Sequence, residues 1–198
     1  MPPITAALIG VNVAAFLLQS LIPGLVVPFA LWPLAASAAD PSVGFAPWQL
    51  VTYAFLHGSF MHLAFNMFAL YMFGSAIEQV FGPRRYLLYY FVSVVSAALT
   101  QLLVAGFSDV VYPTIGASGG VFGLLLAYGL YFPNTRLMLL FPPIPMRARV
   151  FVTLYAVLEL VLGVTGTEEG VAHFAHLGGM IGGYLLLRWW RGGRSWRR

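Results

Sequence analysis

The sequence contains no cysteine and no lysine, and only 8% of its 198 residues are charged. The missing cysteine excludes disulfides, thiol nucleophiles and cysteine-ligated metal sites, and the missing lysine excludes Schiff-base chemistry and a Walker P-loop. A soluble domain of this length would be about 25% charged. Hydrophobic residues make up 60% of the chain instead. This composition predicts that most of the surface faces lipid.

Apolar runs divide the chain at prolines, glycines and charged clusters, and they approach the roughly 17 to 25 residues of a spanning helix. Six runs are predicted to be helices, at residues 4–22, 60–80, 86–107, 118–132, 150–164 and 171–190. The fold class expected is an all-α polytopic membrane protein with a single domain over residues 1–198 and no separate soluble domain. The fourth run is short, so its helix is expected to begin below the membrane surface, within protein or beside water. The connection at residues 23–59 is apolar and is expected to lie in the interface.

The arginines predict the orientation of these helices. With a cytoplasmic N-terminus, all ten basic residues fall on the cytoplasmic side, as the positive-inside rule requires. They are Arg84, Arg85, Arg136, Arg147, Arg149, Arg188, Arg191, Arg194, Arg197 and Arg198. The acidic residues of the opposite side are Asp40, Asp109, Glu168 and Glu169. The basic surplus therefore indicates topology rather than nucleic-acid binding, and this topology has both termini in the cytoplasm. The Arg-only, Ala/Gly/Pro-rich composition favours a bacterial inner membrane.

Polar residues inside apolar spans are costly and are candidates for function. Ser118, at the start of the fourth predicted helix, and His176, on the sixth, lie at a similar depth from the outer surface. A histidine that takes the hydroxyl proton would make the serine a nucleophile. Glu159 faces an undetermined direction, and no carboxylate is obviously available to orient the histidine. A Ser/His dyad is therefore the prediction.

Oxyanion stabilisation is expected near Ser118. A helix start leaves backbone N–H groups unpaired at its positive end, so the Ser118 amide is one candidate donor. His62 and Asn66, spaced i, i+4 on one face of the second helix, are the other two.

Glycines are expected to bring the two catalytic helices close together. Gly119 and Gly123 follow Ser118, and Gly179 and Gly183 follow His176, each pair in a small-xxx-small spacing that allows membrane helices to pack backbone to backbone.

Four motifs follow one another along the chain: His57, His62 and Asn66; Gly74, Glu78, Gly82 and Arg85; Gly116, Ala117, Ser118 and Gly119; and Ala175, His176, Gly179 and Gly183. In these motifs the chain resembles the rhomboid intramembrane serine proteases, over nearly its whole length. The resemblance implies a six-transmembrane-helix rhomboid bundle, with Ser118 as nucleophile, His176 as general base, and an oxyanion hole of His62, Asn66 and the Ser118 amide. It also implies lateral substrate access near the fifth helix and a membrane-embedded first loop at residues 23–59.

The chain departs from the family pattern at two positions. Phe122 stands where some relatives have Tyr; it can stack on the imidazole but offers no hydroxyl. Trp32 is followed by Pro33 where a Trp-Arg pair is familiar, which leaves the anchoring of the first loop open. His57 is expected to be structural and to bond loop backbone, His173 to be solvated or to support a loop, and Glu78 to satisfy backbone groups.

The sequence thus predicts a serine endopeptidase that cleaves single-span membrane proteins within the bilayer, near the periplasmic face, without cofactor or metal. Two alternatives remain open. One is an inactive relative that binds transmembrane helices. The other is a metal or haem protein that uses the four histidines, although no zincin motif is present and no carboxylate flanks them. The oligomeric state is not predicted.

Overall fold

A computed structural model describes residues 1–107, 111–138, 143–166 and 172–192. Its helices are α1 (Pro3–Leu21), α2 (Val26–Phe29), α3 (Ala36–Ala39), α4 (Gln49–Thr52), α5 (Phe60–Ala69), α6 (Ser75–Phe81), α7 (Pro83–Ala105), α8 (Ser118–Tyr131), α9 (Ala148–Thr165) and α10 (His173–Gly192). A 3-10 turn covers Tyr53–Phe55, and a π-helical segment, Leu70–Gly74, joins α5 to α6. Six of the charged residues used for the topology prediction lie outside these ranges: Asp109, Glu168, Glu169, Arg194, Arg197 and Arg198.

Four of the described helical stretches are long and apolar enough to cross a membrane: Pro3–Leu21, Phe60–Phe81, Pro83–Ala105 and Ala148–Thr165. The fourth predicted run is α8, which is apolar but has only 14 residues. The sixth is α10, a helix of 20 residues in which histidines, glycines and arginines interrupt the apolar sequence. The chain is therefore a mainly helical membrane protein, and the count of six spans stays a prediction.

Helix α8 is the enclosed centre of the bundle. Four of its eight buried residues are glycine, and a side chain at these positions would collide with the neighbouring helices. An added Cβ at Gly120 would lie 2.9 Å from Val94 Cγ2 of α7, and one at Gly129 would lie 2.7 Å from Val152 Cγ2 of α9. The short central helix is thus held by close approach of the surrounding helices.

The start of α7 and the ends of α8 and α10 meet through arginine–aromatic contacts. The guanidinium of Arg85 lies 5.7 Å from the centre of the Trp190 ring, and that of Arg191 lies 5.8 Å from the centre of the Tyr131 ring. Such cation–π contacts are favourable where the groups are partly desolvated. The arrangement gathers arginines at one end of the bundle, as the topology prediction requires, and the compartment at that end stays a prediction.

Glu78 closes the N-terminal end of α1. Its carboxylate accepts hydrogen bonds from the backbone amides of Ile4 (2.9 Å) and Thr5 (2.7 Å) and from the Thr5 hydroxyl (2.7 Å). A helix start presents unpaired N–H groups and the positive end of its dipole, both of which an anion satisfies. The expectation that Glu78 serves backbone groups is confirmed.

The connection between α1 and α5 is anchored by buried polar contacts. The side chain of Gln49 donates to Gly44 O (3.0 Å) and accepts from the Trp32 amide (3.2 Å). Leu31 and Thr114 exchange backbone hydrogen bonds of 3.0 and 2.9 Å, which tie this connection to the segment just before α8. The connection lacks the Trp-Arg pair, and Gln49 and the backbone bridge between Leu31 and Thr114 anchor it instead.

Two short strands between α8 and α9, β1 (Arg136–Met138) and β2 (Pro145–Arg147), pair with each other in the antiparallel direction. The all-α expectation omitted these strands. Arg136 and Arg147 are partners in their register.

Candidate active site

Ser118 is the first residue of α8, and its hydroxyl lies 2.8 Å from Nε2 of His176 on α10. Ala117 is the residue at the N-cap, so Ser118 does not occupy the usual capping position, and no side chain caps the helix. The first-turn amides of α8 are consequently left without intrahelical partners beside the serine. The Ser118 hydroxyl, the His176 imidazole and the unpaired N–H groups therefore lie together at the start of α8.

The close approach of α8 and α10 depends on the predicted glycines. A Cβ at Gly179 would collide with the carbonyl of Gly119, and one at Gly123 would lie 3.2 Å from the carbonyl of Gly179. The close packing of these two helices, predicted from Gly119, Gly123 and Gly179, is confirmed. Gly183 differs, because its open face lies against Tyr89 and Ser93 of α7.

Phe122 lies one turn after Ser118 and stacks on His176. The ring centroids are 4.2 Å apart and the planes differ by 3°. The predicted stacking is confirmed, and it fixes the plane of the imidazole without a hydrogen bond.

His62 faces the same space as the serine hydroxyl. The Gly58 amide donates to its Nδ1 at 3.4 Å, and a ring nitrogen that accepts carries no proton, so Nε2 is the N–H donor. If residue 116 carried a Cβ atom, that atom would lie 2.8 Å from His62 Nε2 and 3.7 Å from Ser118 Oγ. The two polar atoms therefore border one small space that exists because residue 116 is glycine.

Gly116 adopts a φ of +128°, a conformation that L side chains rarely adopt. Its amide donates to Tyr53 O at 2.9 Å, which fixes the strained turn before α8. Residue 116 must therefore be glycine, both to adopt the turn before α8 and to leave the space between His62 and Ser118 open.

Asn66 is buried on α5, and its Nδ2 donates to the carbonyl of His62 at 2.9 Å. This bond uses one of the two N–H groups of the amide. Its approach to Ser118 stays a prediction.

His57 is buried before α5, and its backbone exchanges hydrogen bonds with the Gln19 side chain of α1: the His57 amide donates to Oε1 (3.1 Å) and its carbonyl accepts from Nε2 (2.6 Å). Its ring packs edge-on against His62, with centroids 5.0 Å apart. His57 therefore supports the position of His62.

A carboxylate that the sequence reasoning missed lies beside the imidazole. Oε2 of Glu159, on α9, is 2.8 Å from Nδ1 of His176 and 2.7 Å from Nδ1 of His173. The dyad prediction therefore missed a third residue. Of the two roles expected for His173, the solvated one is wrong, because His173 is only 5% exposed. The chain did contain a signal: Glu159 is a lone acid in an apolar span, and such residues carry a role by default.

Glu159, His173 and His176 also form a group of potential metal ligands within 4.8 Å of one another. A carboxylate does flank these histidines, contrary to the reasoning from sequence. The distances of 2.7 and 2.8 Å from one oxygen to the two nitrogens are those of charge-assisted hydrogen bonds. Ligands about 2.0 to 2.2 Å from a tetrahedral zinc would lie farther apart, so the arrangement favours hydrogen bonding.

Comparison with known proteins agrees with this geometry. A family model described as the rhomboid domain matches residues 44–191. The chain is similar to rhomboid protease GluP of Bacillus subtilis (31% identical over 138 residues, 70% of this chain and 25% of the relative) and to rhomboid protease GlpG of Klebsiella pneumoniae (32% over 126 residues, 64% and 42%). It is also similar to rhomboid protease AarA of Providencia stuartii (33% over 158 residues, 70% and 54%). The matches thus span from a quarter to about half the length of these relatives.

Proposed function

We propose that this chain, which the match over residues 44–191 shows to belong to the rhomboid family, is a serine endopeptidase that cleaves transmembrane segments within the bilayer. The relatives named as proteases support the general activity. The observation that carries the proposal is the 2.8 Å approach of Ser118 Oγ to His176 Nε2, inside an apolar bundle.

Acylation is the first chemical step. Ser118 Oγ attacks the carbonyl carbon of the scissile peptide while its proton passes to His176 Nε2. The electron pair of the C=O bond moves to the oxygen, and on collapse the C–N bond breaks as His176 returns the proton to the leaving amine. The product is an ester on Ser118, which a water molecule hydrolyses by the same proton path in reverse.

The oxyanion is stabilised by donors around the space beside Gly116. His62 Nε2 borders this space, and the proposed further donors are the unpaired amide of Ser118 and the second N–H group of Asn66. Each such donor typically contributes about 2.7 to 4 kcal/mol to the transition state. Gly116 keeps the space free for the oxygen.

The substrate must expose a peptide carbonyl at the depth of Ser118. A regular helix covers its carbonyls with its own hydrogen bonds, so segments with helix-breaking residues such as Gly or Pro are favoured. We infer that the substrates are single-span membrane proteins cleaved near the periplasmic face of a bacterial inner membrane, with both termini of this chain in the cytoplasm. Water reaches the site from the same face.

Reconstituted protein tests the proposal. Purified protein in proteoliposomes is incubated with a panel of single-span substrates that carry or lack Gly-Pro near the outer surface, and the scissile bond is mapped by mass spectrometry. Ser118→Ala and His176→Ala should each lower turnover by about 10⁴-fold or more. Ser20→Ala is the matched control, because the exposed Ser20 hydroxyl bonds only to Phe16 O of its own helix, and it should leave turnover unchanged.

Two outcomes decide between this proposal and its alternatives. Cleavage that survives Ser118→Ala would refute the assigned nucleophile. Tight binding of the segments without cleavage by the folded wild-type protein would support an inactive helix-binding relative.

A further inference from the structure

Glu159 is a buried acid in an otherwise apolar helix. Within α9, which the structure describes throughout, the buried residues are Ala148, Val152 and Glu159. Glu159 is thus the buried residue in the second half of this helix, where it is only 7% exposed. An ionised group at such a site is stable only if it is paired and hydrogen-bonded.

The pairing is supplied by two histidines of α10. His173 and His176 are three residues apart and lie on one face of the helix. Both Nδ1 atoms approach the same oxygen, Oε2 of Glu159, at 2.7 and 2.8 Å. A carboxylate only accepts hydrogen bonds, so each Nδ1 must carry a proton.

This proton assignment determines what His176 can do. With the proton on Nδ1, Nε2 has a free lone pair, and Nε2 is the atom 2.8 Å from Ser118 Oγ. The opposite tautomer would present an N–H to the serine and could not take its proton. Phe122 sets the plane of the ring, whereas Glu159 determines which nitrogen is protonated.

We propose that Glu159 is a positioning residue that, braced by His173, holds His176 in the tautomer able to accept the Ser118 proton and stabilises the imidazolium formed when it does. The inference rests on the proposed function. The proton moves from Ser118 Oγ to His176 Nε2 and from there to the leaving amine, and Glu159 accepts no proton at any step. His173 contributes a second hydrogen bond to the same oxygen, which fixes the carboxylate.

Substitution of Glu159 tests this role. Glu159→Leu removes the acceptor, so nothing holds the His176 proton on Nδ1. We expect kcat to fall about 100-fold or more in this variant, since a wrong tautomer in a serine protease costs up to about 10⁴-fold, while KM stays within twofold. In Glu159→Gln the amide oxygen can still accept from both histidines, as Oε2 does, but it carries no charge to stabilise the imidazolium, so kcat should fall by a smaller factor.

Glu78→Gln is the matched control, because it neutralises the other carboxylate that is buried in the described part of the chain, which bonds Ile4 and Thr5. It should lower the melting temperature and leave kcat per folded molecule unchanged. Nitrogen NMR of ¹⁵N-histidine-labelled full-length protein reads the tautomer independently of activity. It should show His173 and His176 protonated on Nδ1 in the wild type and a shift towards Nε2 in Glu159→Leu.

The possible results separate this inference from the proposed function. Turnover that needs Ser118 and His176 but stays within threefold of wild type in folded Glu159→Gln and Glu159→Leu would overturn the positioning role alone. So would a wild-type His176 protonated on Nε2, or stoichiometric bound metal that Glu159→Gln abolishes. A wild-type protein with the predicted tautomers and no cleavage would refute the protease instead.

Discussion

Substitution of Gly116 by alanine places a methyl group in the space where the oxyanion is proposed to form. The new Cβ would lie 2.8 Å from His62 Nε2 and 2.9 Å from its Cε1, whereas ordinary contact begins at 3.4 Å. The imidazole would have to retreat by about 0.6 Å. An oxyanion donor acts over about 2.7 to 3.1 Å, so this displacement removes most of the contribution of His62.

The expected loss follows from that displacement. One donor is worth about 2.7 to 4 kcal/mol, or roughly 10² to 10³ in kcat. The methyl also occupies part of the space intended for the substrate oxygen. Gly116→Ala should therefore lower kcat at least 100-fold in the proteoliposome cleavage assay.

Backbone strain must be separated from this effect, because φ at Gly116 is +128° and strain at such a position costs about 1 to 3 kcal/mol. Gly82→Ala is the matched control: φ is +72° and an added Cβ has no atom within 4 Å. Both variants should lose stability in a thermal unfolding measurement, and only Gly116→Ala should lose kcat. Activity of Gly116→Ala within fivefold of wild type, or an equal loss of kcat in Gly82→Ala, would refute the reasoning.

Three further predictions concern single side chains. Phe122→Ala should lower kcat about tenfold with KM unchanged, because it removes a stacked contact of about 0.5 to 1.5 kcal/mol and frees the plane of His176; an unchanged kcat would show that stacking does not matter. Asn66→Ala should lower kcat by about 10² if its second N–H reaches the oxyanion, and a loss below threefold would limit Asn66 to supporting His62. Glu78→Ala should lower the free energy of unfolding by about 3 to 5 kcal/mol, because it leaves the start of α1 without its anion; denaturation in mixed micelles measures this, and a change below 1 kcal/mol would contradict the capping role.

The sequence was most informative where the residue type leaves few structural alternatives. Gly119 and Gly179 predict close helix packing because any side chain there would prevent it, and the structure places the two backbones in contact. Ser118 and His176 could be paired because both lie at a similar depth in their helices. The position of the long first loop in the membrane interface stays a prediction, and its anchor at Gln49 could not be predicted because it depends on tertiary contacts with Gly44 and Trp32.

The direction of the Glu159 side chain could not be predicted from the sequence. An acid at one position of an apolar helix has a direction only once the rotation of that helix about its axis is known, and the apolar residues on all sides of α9 do not determine that rotation. The π-helical segment at Leu70–Gly74 was missed for a related reason. It lies where Gly74 packs against Leu70 and Tyr86, and it does not interrupt the hydrophobic pattern from which the second helix was predicted.

The most direct test of the central claim is the site of covalent labelling by a serine-directed fluorophosphonate, mapped by mass spectrometry of the membrane-reconstituted protein. The 2.8 Å contact between the hydroxyl and the imidazole predicts a single adduct on Ser118 that is lost in His176→Ala. An adduct on another serine, or labelling of Ser118 that is as fast in His176→Ala as in the wild type, would contradict it.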